Sequence, residues 1–513
     1  MLRFILFLFV LTSAEECENE DYYVHHLSTK TPYRVVANKE DKEFRHKEKH
    51  EFDKSNDFPL AQWIKKYDKK VEHVDEPLGI WFSEKYNISV IVHNDLITTV
   101  MPTNSEILTQ DTTTEPTESE EEVTIDDEDE IEGCEPQKIW MIVRHGTRNP
   151  SAGYIEKMKD RLLEVRDLIL ENNIEPSDHL RHSVLDALRR WKVKLQVADE
   201  KKLTHEGENE MLLLAERMQA RFPTIFTPIY SNTSYYFRST STQRTKLSAR
   251  YFATGLFGRQ TVKDVWFPKS VKHDPTLRFY KLCDRWKFEV KNNPNTLQER
   301  RRFENSTHML ELLQTLNAAL NLDNELSIND AFLMYLACSF ETAWNHKRKS
   351  PWCSLFSPQS LKVLEFAEDL KYYYRDGYGY ELTYKQACKA FLDGISYFEN
   401  KSKFPKATIY FTHSGTILKL LAHLGFYKDD QRLKHSHYNK YDHKWRVSKI
   451  DAFGSNMALV LFECNSLQKI AVFHQEKVMQ LPSGETFIDF NKFKEYYKAS
   501  INNCSFDQMC AIE

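Results

Sequence analysis

The sequence has no basic excess: 70 lysines and arginines stand against 75 aspartates and glutamates, for a net charge of −5. That balance argues against nucleic acid as a partner, and it makes any tight cluster of arginines a local device for a small anion. No stretch beyond the first fourteen residues approaches twenty consecutive apolar side chains, so no membrane-spanning helix is expected. None of the nine cysteines forms a C-x-x-C pair, which favours disulfides over a zinc site. The chain ends Cys510-Ala511-Ile512-Glu513, which is neither a KDEL-type tail nor a hydrophobic anchor signal.

The 513 residues are 41% hydrophobic and 13% aromatic, enough for one large domain or a core with a subdomain. Residues 1–14 read as a secretory signal, with Arg3, the apolar FILFLFVL and Thr12-Ser13-Ala14 as the cleavage site. Cys17, Cys134, Cys283, Cys338, Cys353, Cys388, Cys464, Cys504 and Cys510 fit an oxidising compartment, and their odd number leaves at least one thiol free or intermolecular. Five N-x-S/T sequons, at Asn87, Asn232, Asn305, Asn400 and Asn503, point the same way. The expected location is therefore secreted or the lumen of the endomembrane system, with no membrane span.

Residues 17–37 look ordered, whereas 39–56 are charge-dense and almost free of apolar side chains. Between 58 and 101, LAQWIKKY reads as a short helix and ISVIVHNDLITTV as a strand pair. Residues 103–133, ending SEEEVTIDDEDEIEG, carry too much charge and too little apolar surface to order themselves, and read as an acidic linker rather than a calcium site. After residue 150, Ile155, Met158, Leu162, Val165 and Ile169 recur at three- and four-residue spacing, predicting an amphipathic helix on one face of a sheet. LTHEGENEMLLLAERMQARF (203–222) predicts a helix capped by Thr204 and stopped by Pro223. SYYFRST (234–240) reads as a strand and TQRTKLSARYFATGLFG as the helix after it, with Arg244 in a first turn that favours anions. Helical patterns then dominate from about 260 to 400. ATIYFTHSGTILKLLAHLG (407–425) predicts a strand ending at His413 and a helix starting at once, and 455–479 reads as a strand hairpin.

The stretch that organises the chain is KIWMIVRHGTRNP, 138–150. The apolar run Ile139 to Val143 predicts one buried strand, and it stops at Arg144-His145-Gly146-Thr147-Arg148. In open α/β sheets ligands sit beyond the carboxyl ends of strands. Guanidinium forks match phosphate oxygens, and imidazole is a nucleophile or base near neutral pH. The arrangement asks for a phosphate. A second cluster, His435, His437, Asp442 and His443, reads as a polar loop rather than a metal site, and phosphate chemistry of this kind requires neither a metal nor a cofactor.

The R-H-G-x-R-x-P motif, followed in order by Arg244 in FRSTSTQRT and by His413, resembles the histidine acid phosphatases. Within them the chain most resembles the multiple inositol-polyphosphate phosphatases, over 17–37 and then 132–495, through EGCEPQKIWMIVRHGTR, LTHEGENEMLLLAERMQARFP, CSFETAW, SPWCSLF, LKYYYRDGYGY, HLGFYKDD and FHQEKVMQLP. The resemblance implies an α/β fold with a central mixed sheet flanked by helices and a mainly helical inserted lobe. The expected division is a signal at 1–14, a segment packing on the core at 15–38, a charged, largely disordered insertion at 39–133, an α/β core at 134–259 and 401–500, and a helical cap at 260–400. It also implies that His145 attacks phosphorus while Arg144, Arg148, Arg244 and an imidazolium at His413 hold the phosphoryl oxygens, on small phosphate esters of the phytate type. The insertion departs from the family pattern. So does Gly415, which stands in His413-Ser414-Gly415-Thr416 where the family carries the acid that protonates the leaving alcohol. Three outcomes follow: another carboxylate reaches in, Ser414 or Thr416 relays a proton through water, or the protein is a pseudophosphatase that binds phosphates and turns over slowly. Loss of a positioned acid costs roughly 10²–10⁴ in rate. A mutase, the remaining reading, fits export poorly.

Overall fold

In the computed structural model the described residues are 26–34, 79–83, 88–93, 96–100, 133–174, 180–345, 347–440 and 442–512. The leader at 1–14, Cys17, LAQWIKKY and most of the acidic stretch at 103–133 lie outside them. Within the insertion, β-branched and alternating residues form an antiparallel sheet of β1 (Gly79–Ser83), β2 (Ile88–His93) and β3 (Leu96–Val100), with Trp81 opposite Val90 and Val92 opposite Ile97. The expected strand pair is therefore present, with a third strand preceding it. These strands belong to one compact unit, and the other described residues to a second.

The second unit is built on a mixed sheet ordered β10-β8-β7-β4-β6-β5. Its strands are β4 (Cys134–Arg144), β5 (Tyr235–Ser239), β6 (Ala407–Thr412), β7 (Asn456–Cys464), β8 (Leu467–His474) and β10 (Phe487–Asp489), and the short β9 (Lys477–Val478) pairs with β8. β4, β5 and β6 run parallel, whereas β7 and β8 form the antiparallel hairpin foreseen at 455–479. The apolar run of β4 serves two cores because successive side chains point to opposite faces. Trp140 and Ile142 pack with Ile417, Leu420 and Phe391, while Ile139, Met141 and Val143 pack with Met211, Leu214 and Phe252.

The helices that matter here are α1 (Ala152–Lys159), α2 (Arg161–Asn172), α3 (His205–Arg221), α4 (Gln243–Thr261), α5 (Ile328–Trp344), α6 (Pro358–Asp376), α7 (Cys388–Glu399) and α8 (Ser414–His423). α3 and α4 cover one face of the sheet, and α7 and α8 the other. The single helix expected after residue 150 is two, broken at Asp160. Its apolar stripe is continuous across the break, but Met158, Leu162, Val165 and Ile169 pack among α5 and α6 rather than on the sheet. Between β5 and β6 every described regular element is helical. Residues 26–34 thread into this body: Phe453 N donates to Thr31 O at 3.0 Å, Lys30 pairs with Glu368 at 3.4 Å, and Tyr33 Oη donates to Glu476 at 2.5 Å.

Eight of the cysteines pair as Cys134–Cys464, Cys283–Cys510, Cys338–Cys353 and Cys388–Cys504. The first joins residues directly opposite each other on β4 and β7.

Candidate active site

The loop that leaves β4 is fixed from every side. Arg144 N donates to Ser455 O at 2.8 Å, His145 N to Thr412 O at 3.1 Å and Gly454 N to His145 O at 3.2 Å. Glu210 of α3 then accepts from Thr147 N at 2.6 Å and from Thr147 Oγ1 at 2.8 Å. The backbones of Gly146 and Gly207 touch. A Cβ at 146 would stand 2.3 Å from Gly207 O, and one at 207 would stand 2.2 Å from Thr147 O, so both positions require glycine. The side chains that follow are thereby aimed before any ligand arrives.

The structure brings the five site residues expected from sequence to one place. The His145 and His413 rings lie 5.5 Å apart. Arg244 Nη2 reaches His413 Nδ1 at 3.3 Å from the first turn of α4. Phe453 is a shared apolar floor, with its ring 4.6 Å from the Arg144 guanidinium, 6.0 Å from that of Arg148 and 6.2 Å from the His145 ring. His145 Nδ1 donates to Gly146 O at 2.9 Å, which assigns the proton to Nδ1 and leaves the Nε2 lone pair free to attack.

Burial first, then the charge of Arg244, His413, Arg144 and Arg148, holds the His145 imidazole well below its usual pKa. His413 is depressed likewise, by burial and then by Arg244, Arg278, Arg148 and Arg144. The imidazolium expected at His413 is therefore a neutral ring, whose Nδ1 accepts from Arg244 while Nε2 donates to Thr240 Oγ1 at 3.0 Å. Burial and neighbouring guanidiniums press Arg148 down to about 9 and Arg244 to about 10. Both remain charged at neutral pH, and the direction of the shift reports an uncompensated positive charge, the requirement of an anion receptor. The Nε–H groups of Arg144, Arg244 and Arg278 are buried without a partner, which fits the same need.

Arg278 was not marked by any motif. It reaches the site because Thr412 Oγ1 and Thr416 Oγ1 both donate to Leu277 O, at 2.6 and 2.7 Å, pinning the loop before it. Asp451 was missed for a similar reason. Its carbonyl accepts from Arg144 Nη1, its carboxylate lies 3.4 Å from the same guanidinium nitrogen, and Ser414 Oγ donates to it. Burial outweighs these contacts and pushes the Asp451 carboxyl up to about 7, with Asp376 adding to the rise. Ser414 is thus a clamp on Asp451, and the cap position of α8 is His413. In the polar loop, His435 bonds Glu299 at 2.6 Å and His443 bonds Asp369 at 3.0 Å.

The chain matches the family described as histidine phosphatase superfamily (branch 2) over residues 137–476. It is 35% identical over 363 residues to multiple inositol polyphosphate phosphatase 1 of Drosophila melanogaster, covering 68% of this chain and 76% of the relative. Against the Homo sapiens protein of the same name it is 28% identical over 412 residues, covering 74% and 83%. The fold is shared with the phytase from D. castellii at a TM-score of 0.61 and 16% identity, covering 74% of this chain and 82% of that one. It is also shared with a Bifidobacterium longum multiple inositol polyphosphate phosphatase in complex with inositol hexasulfate, at 0.55 and 15%, covering 71% and 92%. A buried imidazole ringed by guanidiniums, on this sheet and with these relatives, makes the chain a member of the histidine phosphatase superfamily, branch 2, and an enzyme of the histidine acid phosphatase type.

Proposed function

We propose that this protein hydrolyses inositol polyphosphates, and other small phosphate monoesters, through a phosphohistidine at His145, and that it does so in the secretory route. The observation that carries the reading is a neutral imidazole with a free Nε2 lone pair set among Arg144, Arg148 and Arg244. A phosphate monoester repels nucleophiles, so catalysis rests on alignment and on neutralising the equatorial oxygens. Nε2 forms the N–P bond as the ester P–O bond breaks, the guanidiniums take up the charge, and water then releases inorganic phosphate. His413 joins the clamp once the bound dianion supplies a counter-charge that favours its protonation. The substrate class is supported by the names of the relatives in fly and human. Export is supported by four disulfides.

The test is phosphate release from inositol hexakisphosphate and p-nitrophenyl phosphate across pH 4–8, with His145→Ala alongside. Turnover insensitive to EDTA and abolished in the variant is expected, and no release from either ester by the wild type would end the reading. Gly415 favours a second reading, a protein that binds phosphorylated ligands with little turnover. Tight binding of inositol hexakisphosphate without hydrolysis would select it.

A further inference from the structure

Position 415 is glycine on the first turn of α8, and the space a side chain would fill there is already taken. A Cβ at 415 would stand 3.1 Å from Asp376 Oδ1, 3.7 Å from Lys419 Nζ and 3.7 Å from the Tyr280 ring. Asp376 is the last residue of α6, and it forms an ion pair with Lys419, one turn along α8 from Gly415. Lys419 has no exposed surface. Its ammonium lies over the rings of Tyr280 at 4.9 Å and Trp286 at 4.6 Å. Asp376 is 8% exposed, comparable to His413 at 7% and His145 at 3%. A carboxylate from the helical segment therefore stands beside the start of α8, two residues from His413.

Lys419 fixes the place of that carboxylate. Asp451, the other nearby carboxyl, is wholly buried and tied to Arg144 and Ser414, which suits it to orienting the clamp rather than meeting a leaving group.

Building on the phosphohistidine reading above, we propose that Asp376, held by Lys419, is the proton donor of this enzyme in place of the acid absent at Gly415. As His145 Nε2 bonds to phosphorus and the ester P–O bond breaks, the Asp376 carboxyl gives its proton to the bridging oxygen, and the alcohol leaves neutral. In the second half, water attacks the phosphohistidine and its proton returns to Asp376. The N–P bond breaks, and inorganic phosphate departs. Asp376 is thus a catalytic residue, and Lys419 a positioning residue.

The experiment compares kcat/KM, which reports the phosphorylation half, for inositol hexakisphosphate and p-nitrophenyl phosphate. The first needs a proton on its alkoxide, whereas the nitrophenolate leaves without one. D376N is expected to lose on the order of 10²-fold more on the inositol ester than on the aryl ester. Equal losses on the two, no loss, or a substrate-selective loss in D451N instead would overturn the assignment. Should D376N fold poorly, the pair D376A and D376A/G415E decides: removing Asp376 frees the space, and a glutamate at 415 pairs with Lys419 at i,i+4. The double variant is expected to recover at least tenfold on the inositol ester over D376A, and no recovery would overturn the proposal. Wild type that hydrolyses neither ester, or H145A that hydrolyses both, would instead overturn the phosphohistidine reading on which this rests.

Discussion

Arg278 contributes a guanidinium to the site that the sequence motif did not announce. Its charge depresses both His413 and Arg244, and its Nε–H is buried without a partner. Removing one charged donor from a phosphoryl clamp costs about 3 kcal/mol. Arg278→Ala is therefore expected to lower kcat/KM about a hundredfold with unchanged thermal stability, and equal kinetics in variant and wild type would exclude Arg278 from the clamp. At this scale the sequence was legible where residues sit next to one another, as in Arg144-His145-Gly146-Thr147-Arg148, and where a family block carried Arg244 and His413. Arg278, Asp451 and Asp376 were not legible. Each is placed by a contact across 30 residues or more, Asp451 against Arg144 and Ser414 and Asp376 against Lys419. No local periodicity records such contacts.

Among elements, α3 does most to shape the loop that carries His145. Thr204 caps it by accepting from Gly207 N at 3.3 Å, and Thr204 in turn donates through its backbone N and its Oγ1 to Thr147 O. Its next turn supplies Glu210. Gly207→Ala would drive a methyl group into the Thr147 backbone. A loss of about 1–3 kcal/mol in stability is expected, with a fall in kcat because His145 moves with the loop. Thermal melts and steady-state kinetics check both, and a variant with wild-type kcat would show that α3 does not set the position of His145. Strand and helix positions around this element were readable from the period of their apolar residues. The break at Asp160 was not, since the stripe from Ile155 to Ile169 runs through it unchanged, and neither was the partner of that stripe. A helix face records only that it is buried, and α5 and α6 could take it as well as the sheet.

For the whole molecule, titration of buried groups sets the response to acid. His474 is held down to about 3 by burial. As pH falls from about 6.5 toward 3 the unfolded chain takes up a proton there that the folded chain refuses. Stability therefore drops by about 1.4 kcal/mol per pH unit for this one group. Glu210 and Asp451, both raised to about 7, act in the opposite sense: the folded chain holds their protons from about pH 4 to 7, so their contribution is present in acid and lost as pH rises. Of these three groups only His474 still acts below pH 4. His474→Gln is expected to flatten the fall in melting temperature between pH 5 and 3, and an unchanged slope would assign acid sensitivity elsewhere. The disulfides add a second constraint at this scale. Cys283–Cys510 closes a span of 227 residues and Cys134–Cys464 one of 330, each worth on the order of 5 kcal/mol in chain entropy.

Residues 26–34 hold to the body by contacts of their own, through Thr31 to Phe453, Lys30 to Glu368 and Tyr33 to Glu476. A protease cut anywhere between 42 and 125 would therefore leave the amino-terminal piece seated against the larger fragment. Nicked enzyme should run as two bands under denaturing conditions, elute as one species in native buffer and keep its turnover, the chain having become a complex of its own pieces.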